Sequence, residues 1–177
     1  MHLETPRLVI RTFNEADADA WVALVNDTDV GRYTPPSDDA TIDMFEGVLE
    51  RRQASEREQG FAMWAVDRRD TGEFIGQCGF YMSEGNGREI EIAYHYFPAS
   101  WGHGYATEAA AAALGYAFGT LGLDEVIALV MPDNLGSCRV AEHAGMRFVT
   151  SEATYYDIPH LRKYALTRGE WVASHPR

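Results

Sequence analysis

The spacing of hydrophobic and polar positions in the first third of the chain alternates between strand-like and helical. Residues 8–12, LVIRT, form a short apolar run after Pro6 and predict a first strand. Asn14 then precedes an acidic turn and an apolar stripe, which predicts a capped helix over 15–26. A second stretch at helical spacing predicts a helix over 39–58. The segment between the two helices is polar and contains two prolines, so it reads as a loop.

From Phe61 onward the hydrophobic period becomes two, which is typical of strands. Three such runs, at 61–67, 74–82 and 88–97, are joined by the short turns RDTGE and SEGNG and predict an antiparallel meander. The rest of the chain predicts a helix, a strand, a short helix ending at Gly145 and a closing pair of strands: 107–121, 125–131, 135–144, 146–158 and 160–168. Thr167 and Glu170 have capping-box spacing for a short terminal helix.

This order predicts one α+β domain over residues 1–177, because no Pro/Gly linker or internal repeat divides the chain. The strands at 88–97 and 125–131 are joined through a helix, so we expect them to run parallel with a right-handed crossover. A site is expected where the first of these strands ends and the helix begins.

The segment WGHGYA, residues 101–106, occupies that junction. Gly102 and Gly104 allow backbone angles that side chains forbid, and the helix that follows exposes unpaired N–H groups at the positive end of its dipole. Such a junction can bind a phosphate without a lysine. The Gly-Lys-Ser/Thr ending of a Walker loop is missing, and a dinucleotide fingerprint needs a third glycine. The pyrophosphate of coenzyme A and a connector that binds nothing both stay open.

The composition limits the partners. The chain has 177 residues and a formal net charge of −12, with a pI near 4.8 and no basic stretch, so nucleic acid is an unexpected partner. The negative field favours cationic partners such as amines, although it also serves solubility alone. No apolar run reaches the roughly 20 residues of a membrane span, and no signal peptide is recognised. We therefore expect no membrane partner and a cytoplasmic location.

Cys78 and Cys138 are the chain's two cysteines, and they are far apart in the sequence. This pattern suits structural thiols in a reducing compartment. A metal site would need histidine partners at close spacing, which the sequence does not place near them. No metal is expected.

Four stretches in order resemble the GNAT acetyltransferase superfamily. WGHGYATEAAAAAL is similar to its motif Gln/Arg-x-x-Gly-x-Gly/Ala, with Gly104 and Ala106 at the Gly and Gly/Ala positions and Trp101 at the usual Gln or Arg. LETPRLVIRTFNEADADAW, IEIAYHYFPASWGHGYATEA and NLGSCRVAEHAGMRF resemble segments of its ribosomal-protein N-terminal acetyltransferase (RimJ/RimL-like) branch. The resemblance implies a mixed, mostly antiparallel sheet of about seven strands, with helices on both faces and splayed fourth and fifth strands.

The resemblance also implies acetyl-CoA as cosubstrate. Loop amides would hold the pyrophosphate, and the free backbone of the fourth strand would pair with pantetheine and polarise the thioester carbonyl. We expect the side chain of Glu108, in the first turn of the helix, to point away from a phosphate. The cofactor-binding residues predicted in this way are Tyr96, Phe97, Trp101, Gly102, His103, Gly104, Tyr105, Ala106, Thr107, Asn134, Ser137 and Arg139.

Acetyl transfer to an amine needs a base, because the ammonium must lose a proton. Glu89, Glu91, Ala93 and His95 alternate onto one face of the predicted strand 88–97. This carboxylate pair is either a solvated edge or catalytic. By resemblance, Glu91 occupies the glutamate of the family's Glu-Ile-Gly-Tyr stretch and is the predicted base, with Glu89 as the alternative.

The acid for the departing thiolate is less defined. Many superfamily members use a tyrosine in the helix after the asparagine, and this chain has Ala141 there. Ser137 matches the serine of the RimJ/RimL-like branch and is the third predicted catalytic residue. Asn134 either contacts pantetheine or only caps its helix.

The acceptor site is expected to come from the N-terminal helices, the loop GRYTPP and the late segment ATYYDIPHLR. Tyr33, Tyr155 and Tyr156 are the candidate wall residues. The leading hypothesis is an acetyl-CoA-dependent N-acetyltransferase that acts on a protein N-terminus or a small amine and works as a monomer or homodimer. An antibiotic- or polyamine-modifying acetyltransferase and a non-catalytic acyl-CoA-binding module are the alternatives.

Overall fold

The computed structural model of the protein describes residues 1–34, 39–83 and 89–175. Within them the strands are β1 His2–Glu4, β2 Leu8–Arg11, β3 Met63–Arg68, β4 Phe74–Met82, β5 Ile90–Tyr96, β6 Glu125–Val130, β7 Arg147–Tyr155 and β8 Ile158–Thr167. The helices are α1 Ala18–Val25, α2 Thr28–Gly31, α3 Ile42–Gln59, α4 Tyr105–Gly119, α5 Leu135–His143 and α6 Arg168–Ser174.

The strands form one sheet in the order β1-β2-β3-β4-β5-β6-β8-β7. Every neighbouring pair is antiparallel except β5 and β6, which run parallel and meet in register at Glu91 and Ile127 alone. Beyond that pair the two strands separate. The mostly antiparallel α+β sheet, the parallel crossover through α4 and the splayed strand pair are therefore confirmed.

Each face of the sheet packs against its own helices. On one face α4 inserts Ala110, Ala113 and Leu114 into a core with Trp64 and Phe80. The alanines allow this helix to lie close to the strands. On the opposite face α1 and α3 pack into a second hydrophobic cluster, which consists of Phe13, Trp21, Phe45, Leu49 and Ala65. The side chains of β5 alternate between these faces, and this sends Glu91 and His95 toward the α1/α3 side.

Local capping explains where several helices begin. Asn14 accepts a hydrogen bond from Ala16 N and forms a capping box with Asp17, but the first turn is 3₁₀ over Glu15–Asp17 before α1 follows. Thr167 and Glu170 form the capping box predicted for the terminal helix. Helix α4 begins two residues earlier than expected, because Gly104 adopts φ 77° and itself serves as the N-cap.

The structure adds elements that the hydrophobic pattern did not reveal. Strand β1 is an eighth strand of three residues, and α2 is a single turn inside the predicted loop. The late tyrosine segment is not a continuous strand: Tyr156 and Asp157 form a tight turn with φ 53° and 59° between β7 and β8. Two sequence predictions, the turn residues 84–87 and Pro35–Pro36 of the acceptor loop, lie outside the described residues.

Candidate active site

A cavity of about 860 Å³ opens where β5 and β6 separate, and its size is typical of a ligand-binding pocket. Its wall on the α4 side comes from the loop at residues 100–104, the first turn of α4 and the start of α5. Its wall on the α1/α3 side comes from α2 and the Glu91, Ala93, His95 face of β5, together with Tyr81 and Tyr156. The gap between the strands connects both sides of the sheet.

The glycine loop forms the first half of the cavity. Gly102 and Gly104 both have φ 77°, and a Cβ at Gly102 would meet no atom within 4 Å. The first α-helical hydrogen bond of α4 runs from Glu108 N to Gly104 O at 3.0 Å. The preceding N–H groups of residues 105–107 therefore lie at the free, positive end of a 15-residue helix. This junction can hold an anion with backbone amides alone.

Glu108 is turned away from that anion site, as predicted. Its carboxylate accepts hydrogen bonds from Thr5 Oγ1 at 2.6 Å and from Arg7 N at 3.0 Å and Nε at 2.6 Å. These hydrogen bonds and the charge of Arg7 lower the pKa of Glu108 against the opposing effect of burial. Arg7 Nη1 also donates to His103 O at 2.8 Å, so the β1–β2 turn holds the loop in place.

Trp101 closes the loop against the end of β5. Its Nε1 donates to Tyr96 O at 2.8 Å, while half of its surface remains exposed. The backbone around Tyr96 and Phe97 was expected to pair with pantetheine, and this hydrogen bond instead engages the Tyr96 carbonyl in holding the loop. Residues 92 and 94 also direct backbone groups toward β6, because alternate residues of an antiparallel strand bond to opposite neighbours. With β6 diverging there, the backbone of Tyr94 faces the cavity.

Glu91 is a buried carboxyl group at the centre of the cavity wall. It is only 4% exposed, so the interpretation of a solvated edge is wrong for this residue, and β5 lies inside the sheet. Tyr156 Oη donates to Oε2 at 2.7 Å and Tyr81 Oη to Oε1 at 3.1 Å. Burial raises the pKa of Glu91 to about 7, although both tyrosines favour the charged form. A carboxyl with this pKa can exchange a proton near neutral pH.

Glu89 has a different environment although it lies on the same strand face. Lys163 Nζ donates to its Oε1 at 2.6 Å, and Tyr155 Oη donates to its Oε2. These partners lower the pKa of Glu89 against the effect of burial. Glu89 is therefore an ionised carboxylate that is held in an ion pair with Lys163, and it does not line the cavity.

Helix α5 supplies the remaining wall on the cofactor side. Asn134 caps this helix by accepting from Ser137 N at 3.0 Å, which is the capping role that the sequence left open. Ser137 is half-buried at the cavity, and its carbonyl accepts from Tyr94 Oη at 2.9 Å. Ala141, at the position of the family's tyrosine, is fully buried in the core. The hydroxyl groups near this end of the cavity come from Ser137 and Tyr94.

The predicted tyrosines divide between the cavity and the core. Tyr33 and Tyr156 line the cavity, whereas Tyr155 is 4% exposed and is turned to Glu89 and Lys163. Of the predicted cofactor residues, Phe97 and His103 are not part of the lining: Phe97 packs on Phe74 and His103 stacks on Tyr105. The others line it: Tyr96, Trp101, Gly102, Gly104, Tyr105, Ala106, Thr107, Asn134, Ser137 and Arg139.

Sequence reasoning missed several polar residues of the wall, among them Tyr81, Tyr94 and His95. Tyr81 lies directly opposite Glu91 in the β4–β5 register, and a correct register for the meander would have revealed it. Tyr94 stands at the tyrosine of the family's Glu-Ile-Gly-Tyr stretch, a signal that could have found it, whereas His95 lay in the predicted strand without a motif. Within the described parts of the chain, no group of three metal-ligating side chains could hold a metal ion, and no helix is long and apolar enough to cross a membrane.

Comparison with known proteins decides the family. Residues 7–147 match the model of the acetyltransferase (GNAT) domain. The chain belongs to the GNAT acetyltransferase family. It is similar to the uncharacterized N-acetyltransferase YoaA of Bacillus subtilis, with 32% identity over 145 residues that cover 82% of each chain.

Solved structures agree with this acetyltransferase fold. A GNAT-family acetyltransferase from Bacillus anthracis superposes with a TM-score of 0.78 at 26% identity and covers 96% of this chain and 99% of its own. Mycobacterium smegmatis RimJ, solved with a CoA disulfide, gives a TM-score of 0.75 at 22% identity over 95% and 89% of the two chains. The second likeness concerns the fold alone.

The GNAT fold uses acetyl-CoA, and the residues of this acetyltransferase fit that cosubstrate. The amide-lined glycine loop suits a pyrophosphate because the carboxylate in the first turn of α4 is turned away from it: Glu108 is engaged by Thr5 and Arg7. The unpaired edge of β5 beside the cavity offers backbone groups to an amide-containing arm. The cavity therefore offers backbone groups suited to an acetyl donor beside a buried carboxyl group.

Proposed function

We propose that this acetyltransferase moves the acetyl group of acetyl-CoA to a primary amine by direct attack in a ternary complex, with Glu91 as the base. One observation carries the proposal: a carboxyl with a pKa raised to about 7 lies in the wall of a cavity that also contains the amide-lined loop. A base that titrates near the working pH is suited to taking a proton from an ammonium group.

In this proposal, the acetyl donor and the amine acceptor bind on opposite faces of the sheet. The acetyl donor enters from the α4 side, where loop amides bind its pyrophosphate, and the acceptor enters from the α1/α3 side, where Glu91 points. Bound acetyl-CoA supplies the activated acyl group, and free N–H groups of β5 polarise its carbonyl. Tyr81 and Tyr156 hold the Glu91 carboxylate in one orientation while it takes the ammonium proton, directly or through a water.

Ser137 is proposed as a hydrogen-bond donor to the sulfur side of the cofactor. Its backbone N–H and carbonyl are already engaged by Asn134 and Tyr94, which fixes the residue at the cavity wall. An unactivated hydroxyl is a weak acid, so stabilisation of the departing thiolate by a hydrogen bond is the role that fits it. Arg139, exposed on the same helix, is proposed to meet the cofactor phosphates.

The acceptor is proposed to be a protein N-terminal α-amine or a small amine, as in the RimJ/RimL-like branch. Tyr33 and Tyr156 line the half of the cavity that would receive it. Both cysteines are buried free thiols, which supports the proposed cytoplasmic location. The form as a monomer or homodimer stays a prediction.

Amine-dependent release of CoA tests this function. Wild-type protein should release thiol from acetyl-CoA when N-terminal peptides or small amines are added, with kcat/KM rising as pH increases through about 7 because Glu91 loses its proton. Glu91→Gln should lower kcat/KM by roughly 10²- to 10⁴-fold and remove that inflection.

Glu89→Gln tests the alternative base and should keep the inflection near neutral pH. The assignment of Glu91 is wrong if Glu89→Gln, rather than Glu91→Gln, abolishes the inflection. If CoA binds but no amine accelerates thiol release, the chain is a binding module.

A further inference from the structure

Three polar side chains form a chain of hydrogen bonds behind the acceptor half of the cavity. Arg52 of α3 donates from Nη2 to Gln77 Oε1 at 2.8 Å, and Gln77 Nε2 lies 3.1 Å from His95 Nδ1. Gln77 is 4% exposed, and it faces His95 directly across the β4–β5 register. The imidazole of His95 lines the cavity on the same strand face as Glu91.

The chemistry of the three groups fixes the direction of both hydrogen bonds. A guanidinium only donates, so the carbonyl oxygen of the Gln77 amide must face Arg52. The amide nitrogen, which also only donates, then faces His95, and His95 Nδ1 must accept. Burial and the charge of Arg52 lower the pKa of His95 to about 4, so the ring is neutral at neutral pH. Its single proton is therefore on Nε2.

The Nε2–H group is the hydrogen-bonding group that His95 has left for a ligand. Its ring contacts Gln77 through Nδ1, and no acceptor for Nε2 exists among the residues that the structure describes. His95 is half-buried and is one of the residues that line the cavity. An amine substrate that enters this half of the cavity meets the Nε2–H group of His95 as a hydrogen-bond donor in a fixed position.

The charge of Arg52 creates a positive electrostatic potential near the Nε2–H group of His95. Its Nη1 is buried without a hydrogen-bond partner, and its guanidinium lies 4.4 Å from the centre of the Phe13 ring. Burial and the neighbouring Arg51 lower the pKa of Arg52 to about 10, so it stays charged at neutral pH. Among the residues that the structure describes, no carboxylate pairs with Arg52, and such a buried cation is unexpected in a chain of net charge −12. Its field favours an oxygen with partial or full negative charge near His95.

The strand also sets the distance between the two functional groups. Glu91 and His95 lie four positions apart on β5, which corresponds to roughly 13 Å along the strand. Ala93 lies between them on the same face, and its small side chain leaves the floor of the cavity open. An extended acceptor can therefore place its amine at Glu91 and an oxygen at His95.

We propose that His95, positioned by Gln77 and Arg52, is an oxygen-recognition subsite that makes the enzyme select amines carrying a carbonyl oxygen along an extended chain, as in the N-terminal segment of a peptide. The inference rests on the proposed acetyl transfer to an amine and defines its substrate class. Alkylamines and polyamines have no oxygen to accept from His95 Nε2–H, so they are the poorer acceptors.

Steady-state kinetics with two matched acceptors test the subsite. Wild-type enzyme is compared on an N-terminal tripeptide amide and on an alkyl monoamine of equal length, each with saturating acetyl-CoA. His95→Phe should lower the peptide-to-alkylamine ratio of kcat/KM by about 10- to 100-fold, because a buried hydrogen bond to the carbonyl is lost. His95→Gln, which keeps an N–H donor, should recover part of the ratio. An unchanged ratio in His95→Phe would overturn the proposal.

The positioning roles have a readout that does not depend on turnover. In wild-type protein, imidazole ¹⁵N NMR should show His95 as the Nε2–H tautomer. Gln77→Met and Arg52→Met should move it toward a mixture of tautomers and lower the peptide-to-alkylamine ratio. Arg51→Met removes the exposed neighbouring cation and should change neither quantity. An Nδ1–H tautomer in the wild type contradicts the proposal.

The two failures are distinguishable. If neither amine accelerates CoA release in the wild type, the proposed function fails, and the NMR measurement alone decides the state of His95. If both amines are acetylated equally well, acetyl transfer stands and the oxygen subsite is wrong.

Discussion

At the scale of single residues, the environment of Glu91 explains how an ordinary carboxyl acquires a functional pKa. Its neighbour Glu89 shares the strand face, yet the two carboxyls shift in opposite directions, because Lys163 pairs with one and burial dominates the other. Tyr156, which donates a hydrogen bond to Glu91, has a left-handed backbone conformation with φ 53°. This conformation is uncommon for a residue with a bulky side chain. That turn brings its hydroxyl to Glu91.

A stability measurement checks the pKa of Glu91. The pKa of Glu91 is raised from 4.5 to about 7 in the folded state, so its contribution to the free energy of unfolding is most favourable below pH 4.5. That contribution is lost as the pH rises through 7. The shift corresponds to a penalty of about 3 kcal/mol at pH 8.5. In urea unfolding, Glu91→Gln should therefore gain about that much relative to wild type between pH 4.5 and pH 8.5.

Glu89→Gln is the control of opposite sign for this measurement. The lowered pKa of Glu89 contributes stability above its unfolded value, and this contribution is lost as pH falls. Removal of its charge should therefore destabilise the protein at pH 8.5. A difference between wild type and Glu91→Gln that does not vary with pH would show that Glu91 titrates normally.

At the scale of secondary-structure elements, the junction between β5 and α4 combines two requirements. The backbone must turn sharply enough to present amides, and a long helix must begin immediately so that its dipole reaches the same point. Gly102 and Gly104 meet the first requirement at φ 77°, and the alanine-rich α4 meets the second by packing closely on the sheet. Trp101 and Arg7 then fix the loop from either side.

Substitution of Gly102 separates the binding role from backbone strain. A Cβ there meets no atom of the protein, so Gly102→Ala should lose only about 1–2 kcal/mol of stability through its positive φ. It should also raise KM for acetyl-CoA by about tenfold or more, because the added methyl lies among the amides that approach the pyrophosphate.

Gly72→Ala provides the matched control for that substitution. Gly72 has φ 71°, also has open space at its Cβ position and lies in the β3–β4 turn. It should show a similar loss of stability in urea with KM for acetyl-CoA unchanged. Equal KM values for acetyl-CoA in the two variants would show that the loop is not part of the cofactor site.

At the scale of the whole molecule, the proposed reaction brings two ligands of opposite charge to a strongly acidic protein. The proposed donor is an anion, so we expect its binding to depend on backbone amides at α4 and not on net charge. The proposed acceptor is a cation in its protonated form, which we expect the net charge of −12 to attract. The gap between β5 and β6 is the point at which the two sides meet.

Salt should lower kcat/KM for the amine but not for acetyl-CoA. Raising ionic strength from about 10 mM to 150 mM shortens the screening length toward 8 Å, so kcat/KM for a cationic amine should fall by several-fold. The kcat/KM for acetyl-CoA should rise or stay constant. A parallel decline for both substrates would indicate that the negative charge serves solubility alone.

The sequence by itself determined the elements, their order and the family resemblance, because hydrophobic periodicity and glycine positions are local properties. The parallel crossover, the loop at residues 101–106 and the placement of Glu91 on one face of its strand all followed from such local signals, whereas the burial of Glu91 did not. Strand β1 and helix α2 are too short to give a period, so they were not predicted.

Only the tertiary structure decided which side chains act together. Tyr81 and Tyr156 reach Glu91 from β4 and from a strained turn, and neither distance along the chain nor periodicity encodes that meeting. Arg52, Gln77 and His95 likewise come from three elements and are joined by register and helix packing. The pKa of Glu91 and the tautomer of His95 depend on burial and on partners distant in sequence, and these are properties of the folded chain.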